Sequence, residues 1–389
     1  MTFLWATILV LGVLIFVHEL GHFFAARSCG VDVDRFSIGF PPRLISITSV
    51  DNGFMLSLFF FTFIDKKLKW SPIIKPFIKI SNRKGSGTEY VLGIIPFGGY
   101  VKMAGFIDES MDTNIQYEPN EFMSKSALSK IFILSAGVLM NVLTAFLIFS
   151  GISYVQGESK PSERPIISEL IKDLPAEKAG FKPGDKIIKI NDVSINTWID
   201  LTNIIHSKPN TPVNISILRG VEELVFSLKT SSTPIINNGE IDSIGVIGIK
   251  PEFIHSDISF FQSLSLGLSG TIGGFGMIIM SMKMLFNGVA SLSDFGGPIM
   301  IAQIAGNQAE AGIIPLLSFM GLISINLAFL NILPIPGLDG GHIFIILIES
   351  IINRSLALKT RILIQQLGMT FLLLLMVTVM YNDISRLFN

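Results

Sequence analysis

Residues 3–26 form an apolar run whose only ionisable side chains are His18, Glu19 and His22. A run of this length meets the roughly 20 apolar residues that a helix needs to cross a bilayer core. Ionisable groups buried there cost several kcal/mol, so they mark a functional site by default. In a helix, residues four apart share a face, and His18 and His22 can aim their imidazoles at one centre, with Glu19 beside it. The spacing in His18-Glu19-Leu20-Gly21-His22 is that of a zinc site: two neutral imidazoles for the metal and a carboxylate to take a proton from water. The alternative is a pair of histidines hydrogen-bonded to neighbouring helices, with Glu19 protonated. Two imidazoles make a weak zinc site, so the first reading requires a third ligand from elsewhere in the chain.

Further apolar runs at 131–155, from about 313, and at 362–380 bring the expected count to about four transmembrane helices. Of the 389 residues, 49% are hydrophobic and only 15% are charged, well below the roughly 25% of soluble proteins, which predicts a polytopic membrane protein. A net charge of -1 gives no basic field for nucleic acid. The single cysteine, Cys29, excludes an internal disulfide framework and a multi-cysteine metal site; Arg27 makes it a poor lipoprotein cysteine. No Lys or Arg precedes residues 3–26, and that run is read as a retained span rather than a cleaved signal.

Basic residues near the span ends set the expected orientation. Arg27, Arg35 and Arg43 follow the first span, Lys125 and Lys130 precede the second, and Arg354, Lys359 and Arg361 separate the third from the fourth. These place both termini on the extracytoplasmic side. Residues 1–156 are then an N-terminal membrane core. Within it, 90–101 reads as a short, membrane-associated β-hairpin whose open edge could pair with an unwound substrate backbone, or as an ordinary surface hairpin. The aromatic run 54–64 is too short to span and reads as re-entrant or interfacial, with Lys66, Lys67 and Lys69 at headgroup level. Residues 157–251 have a soluble, β-rich composition and form an inserted extracytoplasmic domain. Residues 252–312 read as membrane-surface helices, because 258–282, although free of charge, is rich in Ser and Gly, and counting it as a span would reverse the basic-residue bias. Residues 313–389 complete a C-terminal membrane core.

Inside the third apolar region, Asn331-Ile332-Leu333-Pro334-Ile335-Pro336-Gly337-Leu338-Asp339-Gly340-Gly341-His342 cannot continue a regular helix. Broken backbone at membrane depth is tolerated only where protein or a water-filled cavity satisfies it. Asp339 lies in the break and suits zinc beside two imidazoles; His342 is the competing ligand, and Asp339 as a helix N-cap is the purely structural alternative.

The early HExxH and the late Asn-x-x-Pro-x-Pro-x-Leu-Asp-Gly-Gly together resemble the site-2 protease family of intramembrane zinc metalloproteases (M50), the bacterial regulator of sigma-E protease group in particular. Residues 95–103 and the Gly137–Asn141 GxxxN element are similar to that family too, and 165–188 resembles a PDZ domain of the type these proteases carry. The resemblance implies a mainly α-helical polytopic membrane protein with a membrane-associated β-hairpin and one inserted PDZ-like domain, in the bacterial inner membrane. It implies Zn2+ held by His18, His22 and Asp339, Glu19 as general base, and Asn331 at the substrate, to which the strand-edge reading adds Gly98 and Gly99. It further implies single-span membrane substrates of the anti-sigma-factor or remnant-signal-peptide type, reached after an upstream site-1-type protease. Two features depart from the family pattern: a single PDZ-like domain where some members have two, and a longer, more aromatic 47–81 segment with no assigned role. Readings from other classes are a metal transporter, which would need polar residues along several spans where the second and fourth are nearly free of them, and a PDZ-bearing scaffold, which leaves Glu19 unexplained.

Overall fold

The computed structural model of the protein describes residues 2–64, 67–80, 84–106, 115–237, 240–291 and 296–388. Contacts divide the chain into two compact units, one of residues 1–152, 264–282 and 290–389, the other of residues 153–263 and 283–289.

The first unit opens with helix α1 (Thr2–Ser28), which carries the HExxH sequence. It then enters a sheet made of β1 (Val33–Val50), β2 (Gly53–Ile64), β3 (Lys67–Ile74), β4 (Phe77–Lys79) and β5 (Glu89–Met103). The sheet replaces the short hairpin expected at 90–101. That segment belongs to one long strand: residues 35–38 of β1 pair antiparallel with 99–102 of β5 on one side and lie in parallel register with 89–92 on the other, and 89–92 also pairs antiparallel with 45–48. The run 54–64, expected as a re-entrant or interfacial segment, is strand β2, paired with β1, β3 and β4. Both of its faces are apolar because it carries Phe, Leu and Met at consecutive positions, which in the sequence hides the period-two alternation of a strand.

Helix α2 (Ala127–Gln156) follows and crosses against α1 at two glycines. A β-carbon on Gly21 would overlap the Ala136 carbonyl, and one on Gly137 would overlap the His18 and His22 rings. Small residues at such a crossing let two backbones approach closely, which is how helices associate where lipid offers no hydrophobic gradient.

The second unit holds the β-rich domain: β6 (Glu158–Pro161), β7 (Ile167–Leu170), α3 (Pro175–Ala179), β8 (Lys186–Ile190), β9 (Val193–Ser194), α4 (Trp198–His206), β10 (Pro212–Arg219), β11 (Glu222–Lys229), β12 (Ser231–Asn237), β13 (Glu240–Val246), β14 (Ile249–Pro251) and β15 (Phe253–Ser256). Its main sheet has the order β11-β10-β8-β9. In β10, Val213, Ile215 and Ile217 alternate inward onto Ile187, Ile190, Leu201 and Ile205. Asp185, 1% exposed at its side chain, is held by two hydrogen bonds of 2.8 Å from the Arg219 guanidinium and one of 2.7 Å from the Lys182 backbone N–H. Burial alone would raise the Asp185 pKa, but these donors outweigh it and hold the carboxyl below the usual carboxylate range.

The chain continues through α5 (Phe260–Phe286), α6 (Pro298–Ala311), α7 (Ile313–Ile332), α8 (Asp339–Ile352) and α9 (Leu358–Phe388). Among the described residues five helices, α1, α2, α5, α7 and α9, are long and apolar enough to cross a membrane, one more than the sequence reading counted. The addition is α5, expected as surface helices but found as one continuous helix. Its glycines explain the ambiguous composition: Gly267 and Gly270 face Ser150 and Phe149 of α2, and Gly274 faces Ile325 of α7. The Gly-rich face is thus a helix-packing face.

Candidate metal centre and active site

Three elements converge on one point inside the helical unit. α1 supplies His18 and His22 one turn apart. The break after α7 delivers Asp339 as the first residue of α8, where Leu338 is the N-cap and the Asp339 side chain caps nothing. The glycines after Asp339 let the broken backbone fold onto α8, since β-carbons on Gly340 and Gly341 would overlap the carbonyls of Ile332, Leu333 and Ile335. Those carbonyls belong to a turn closed by Ile335 N–H donating to Leu333 O and Leu338 N–H to Ile335 O.

Asp339 Oδ2 lies 3.1 Å from His18 Nε2 and 3.3 Å from His22 Nε2, and the two Nε2 atoms are 3.1 Å apart. Zn–N and Zn–O bonds of 2.0–2.1 Å in a tetrahedron put neighbouring ligand atoms about 3.3 Å apart, so the spacing fits that ion. Asp339 Oδ2 is buried and accepts no hydrogen bond, which is what a ligand atom awaiting a cation looks like. His18, His22 and Asp339 form the one His/Cys/Asp/Glu group with metal-holding geometry found among the described residues.

Surrounding groups orient the imidazoles. His22 Nδ1–H donates to the Ile133 carbonyl of α2 at 2.9 Å, leaving the Nε2 lone pair free for a metal. His18 Nδ1 lies 3.3 Å from the Asn141 amide, whose Oδ1 is buried and without a partner. Exchanging the O and N of that amide gives the His18 Nδ1–H an acceptor and removes the orphan. Asn141 is fully buried, and its backbone carbonyl accepts the Ser324 hydroxyl of α7 at 2.8 Å, which ties α1, α2 and α7 together behind the site.

A cavity of about 250 Å³ opens on this centre, lined by Glu19, Gly98, Gly99, Tyr100 and Asn331 as well as the three donors. The Asn331 amide lies 3.4 Å from His18 Nε2. A β-carbon on Gly99 would sit 3.2 Å from Glu19 Cγ, so the bare glycine backbone is what leaves room for the Glu19 side chain beside the strand. Residues 99–102 pair with β1 on one side, and no strand pairs with their other side among the described residues. His342 does not join the centre: its ring packs on Phe106 at 5.0 Å, in a separate small pocket with Arg361 and Gln365. The structure therefore brings together every site residue expected from sequence and leaves the competing ligand outside. Sequence reasoning missed the Ile133 carbonyl, for which a backbone acceptor leaves no signal, and registered Tyr100 only within the 95–103 motif. It registered Asn141 only as part of a motif.

A multi-helix membrane unit with an HExxH helix and a distant carboxylate at one metal-sized gap is the arrangement of an intramembrane metallopeptidase. The sequence profile of peptidase family M50 matches residues 6–65 and 70–375. "Putative zinc metalloprotease RC0203" of Rickettsia conorii is 32% identical over 98% of each chain, and zinc metalloprotease RasP of Oceanobacillus iheyensis is 28% identical over the full length of both. Among solved structures, the PDZ domain of an SdrC-like protein of Listeria innocua is 25% identical, covering 24% of this chain and 99% of its own, at a TM-score of 0.19. The chain belongs to peptidase family M50, the site-2 protease family, and is a multi-pass membrane zinc metalloprotease.

Proposed function

We propose that His18, His22 and Asp339 hold the zinc and that Glu19 is the general base in hydrolysis of peptide bonds within transmembrane segments of single-span membrane proteins. The observation that carries this reading is the set of three donor atoms 3.1–3.3 Å apart, with Glu19 lining the same cavity. Zinc, when bound, supplies Lewis acidity toward the scissile carbonyl and toward water. Glu19 accepts the proton of the attacking water on its carboxylate and delivers it to the leaving amine nitrogen. A transmembrane helix must unwind before its carbonyls are accessible. The unpaired edge at Gly99–Tyr100 offers the unwound segment a strand to pair with, Gly98 and Gly99 let that backbone come close, and the Asn331 amide donates to it.

The substrates are single-span proteins of the anti-sigma-factor or remnant-signal-peptide type, shortened first by a site-1-type protease. The β-rich domain is a PDZ-type module. Its pocket of about 360 Å³, lined by Leu174, Trp198, Leu201, Ile205 and Ile247, suits an apolar chain end. With α1, α2, α7 and α9 as the four crossings, the basic residues near the span ends support an inner-membrane location with the termini and this domain extracytoplasmic.

The test is Glu19→Gln, assayed for zinc content and for cleavage of a single-span test substrate in the membrane. Zinc content stays at the wild-type level and cleavage is lost. Retained cleavage would remove Glu19 from the mechanism.

A further inference from the structure

The first turn of α2 and the C-terminal end of α8 enclose a second pocket of about 310 Å³, lined by Lys130, Glu349, Ser350, Asn353, Arg354 and Ser355. Its charges do not balance. Glu349 is satisfied from within, since Oε1 accepts the Leu356 backbone N–H at 2.6 Å and Oε2 is paired with the Arg361 guanidinium. Lys130 is half-buried and Arg354 exposed, and neither forms an ion pair among the described residues. Two cations thus face one polar pocket that has no free carboxylate to neutralise them.

The surroundings identify what would. Lys130 stands one turn inside a helix of membrane-spanning length, and Arg354 stands just beyond α8, in the short connection to the spanning helix α9. Within a turn of the pocket residues, Leu128 and Phe132 on α2 and Leu347 and Ile351 on α8 are exposed apolar side chains. A ligand for this place needs an anionic group with several oxygens for Lys130 and Arg354, hydroxyl or ester acceptors for Asn353 and Ser355, and hydrocarbon to lie along the helices. We propose that the pocket is a binding site for the headgroup of an anionic phospholipid from the leaflet at the start of α2. Basic pockets between membrane helices take such headgroups, and each cation near the surface contributes about 1 kcal/mol. The alternative is that the two cations only complement the carbonyl end of α8 and reach toward water. It predicts no preference among lipids.

The experiment uses the full-length protein purified with equal amounts of phosphatidylglycerol and phosphatidylcholine, with retained lipids counted by native mass spectrometry. Wild type retains one phosphatidylglycerol in preference to phosphatidylcholine, and millimolar inorganic phosphate does not displace it. Retention falls about thirtyfold in K130Q/R354Q, roughly fivefold in R354Q alone, and survives in K130R/R354K. Equal retention of the two lipids overturns the proposal, as does undiminished phosphatidylglycerol retention in K130Q/R354Q. Loss of retention in K130R/R354K overturns it by showing that packing rather than charge held the lipid. Displacement by inorganic phosphate overturns the lipid assignment in favour of a free-anion site.

Discussion

Gly137 of α2 turns its bare α-carbon to the His22 imidazole, and a β-carbon there would overlap ring atoms of both His22 and His18. The metal-ligating face of α1 is therefore fixed by the absence of a side chain on its neighbour. In an exposed helix interior, Gly→Ala stabilises by about 1 kcal/mol. Here the clash wins, because the displaced atoms are the ligands themselves. Gly137→Ala keeps its helix content by circular dichroism and loses zinc affinity by about tenfold or more in a chelator competition.

Asn141 acts on the same imidazoles from the other side of His18. With its O and N exchanged, its amide gives the His18 Nδ1–H an acceptor, and it is fully buried. Partners of this kind change metal affinity by 10–100-fold when removed. Asn141→Ala lowers zinc affinity by roughly that factor, whereas Asn141→Asp, which keeps an oxygen at the position, preserves most of it. The same competition assay reads both variants.

Gly99 separates binding of the metal from catalysis. A methyl group there meets the Ser37 carbonyl at 2.8 Å, Ile15 Cγ2 at 3.1 Å and Glu19 Cγ at 3.2 Å, all nearer than any of the three metal donors. Gly99→Ala therefore leaves zinc content unchanged while cleavage of a single-span substrate drops by about 10²-fold, the usual effect of a displacement near 1 Å at a reacting group. Equal loss of zinc and activity would contradict the placement of Glu19 against the strand.

These three positions also show how far the sequence could be read. His18, Glu19, His22 and Asp339 were legible because metal chemistry restricts residue type, and because a membrane makes each ionisable residue conspicuous. Residue types alone left Asp339 and His342 both open, and the family resemblance chose Asp339. Both lie in one proline-broken stretch, and only the fold shows His342 turned onto Phe106. The spans 131–155 and 362–380 fall within α2 and α9, since apolar length is read directly from composition. The helix α5 was ambiguous because glycines that pack against α2 and α7 also dilute its hydrophobicity. The sheet was misread at 54–64 and 90–101 because a strand apolar on both faces loses its alternation, and because β1 and β5 pair with each other twice along their lengths.

The β-rich domain depends on the buried pair of Asp185 and Arg219. The folded-state pKa of Asp185 is depressed, so the stabilisation it contributes is fully present above the ordinary carboxylate value near 4. It is lost as the pH falls from there through the depressed value. Arg219→Ala leaves the Asp185 carboxylate short of two donors and destabilises the domain at neutral pH. Limited proteolysis of the full-length protein detects this as faster cutting within residues 157–251, and the difference between variant and wild type narrows below about pH 4.

The central claim is that residues from the two ends of the chain share one zinc ion. Anomalous diffraction at the zinc edge from crystals of the zinc-loaded protein tests it most directly. The account predicts a single peak within about 2.2 Å of His18 Nε2, His22 Nε2 and an Asp339 carboxylate oxygen. A peak that engages His342, or one that leaves Asp339 out of reach of the ion, would contradict it.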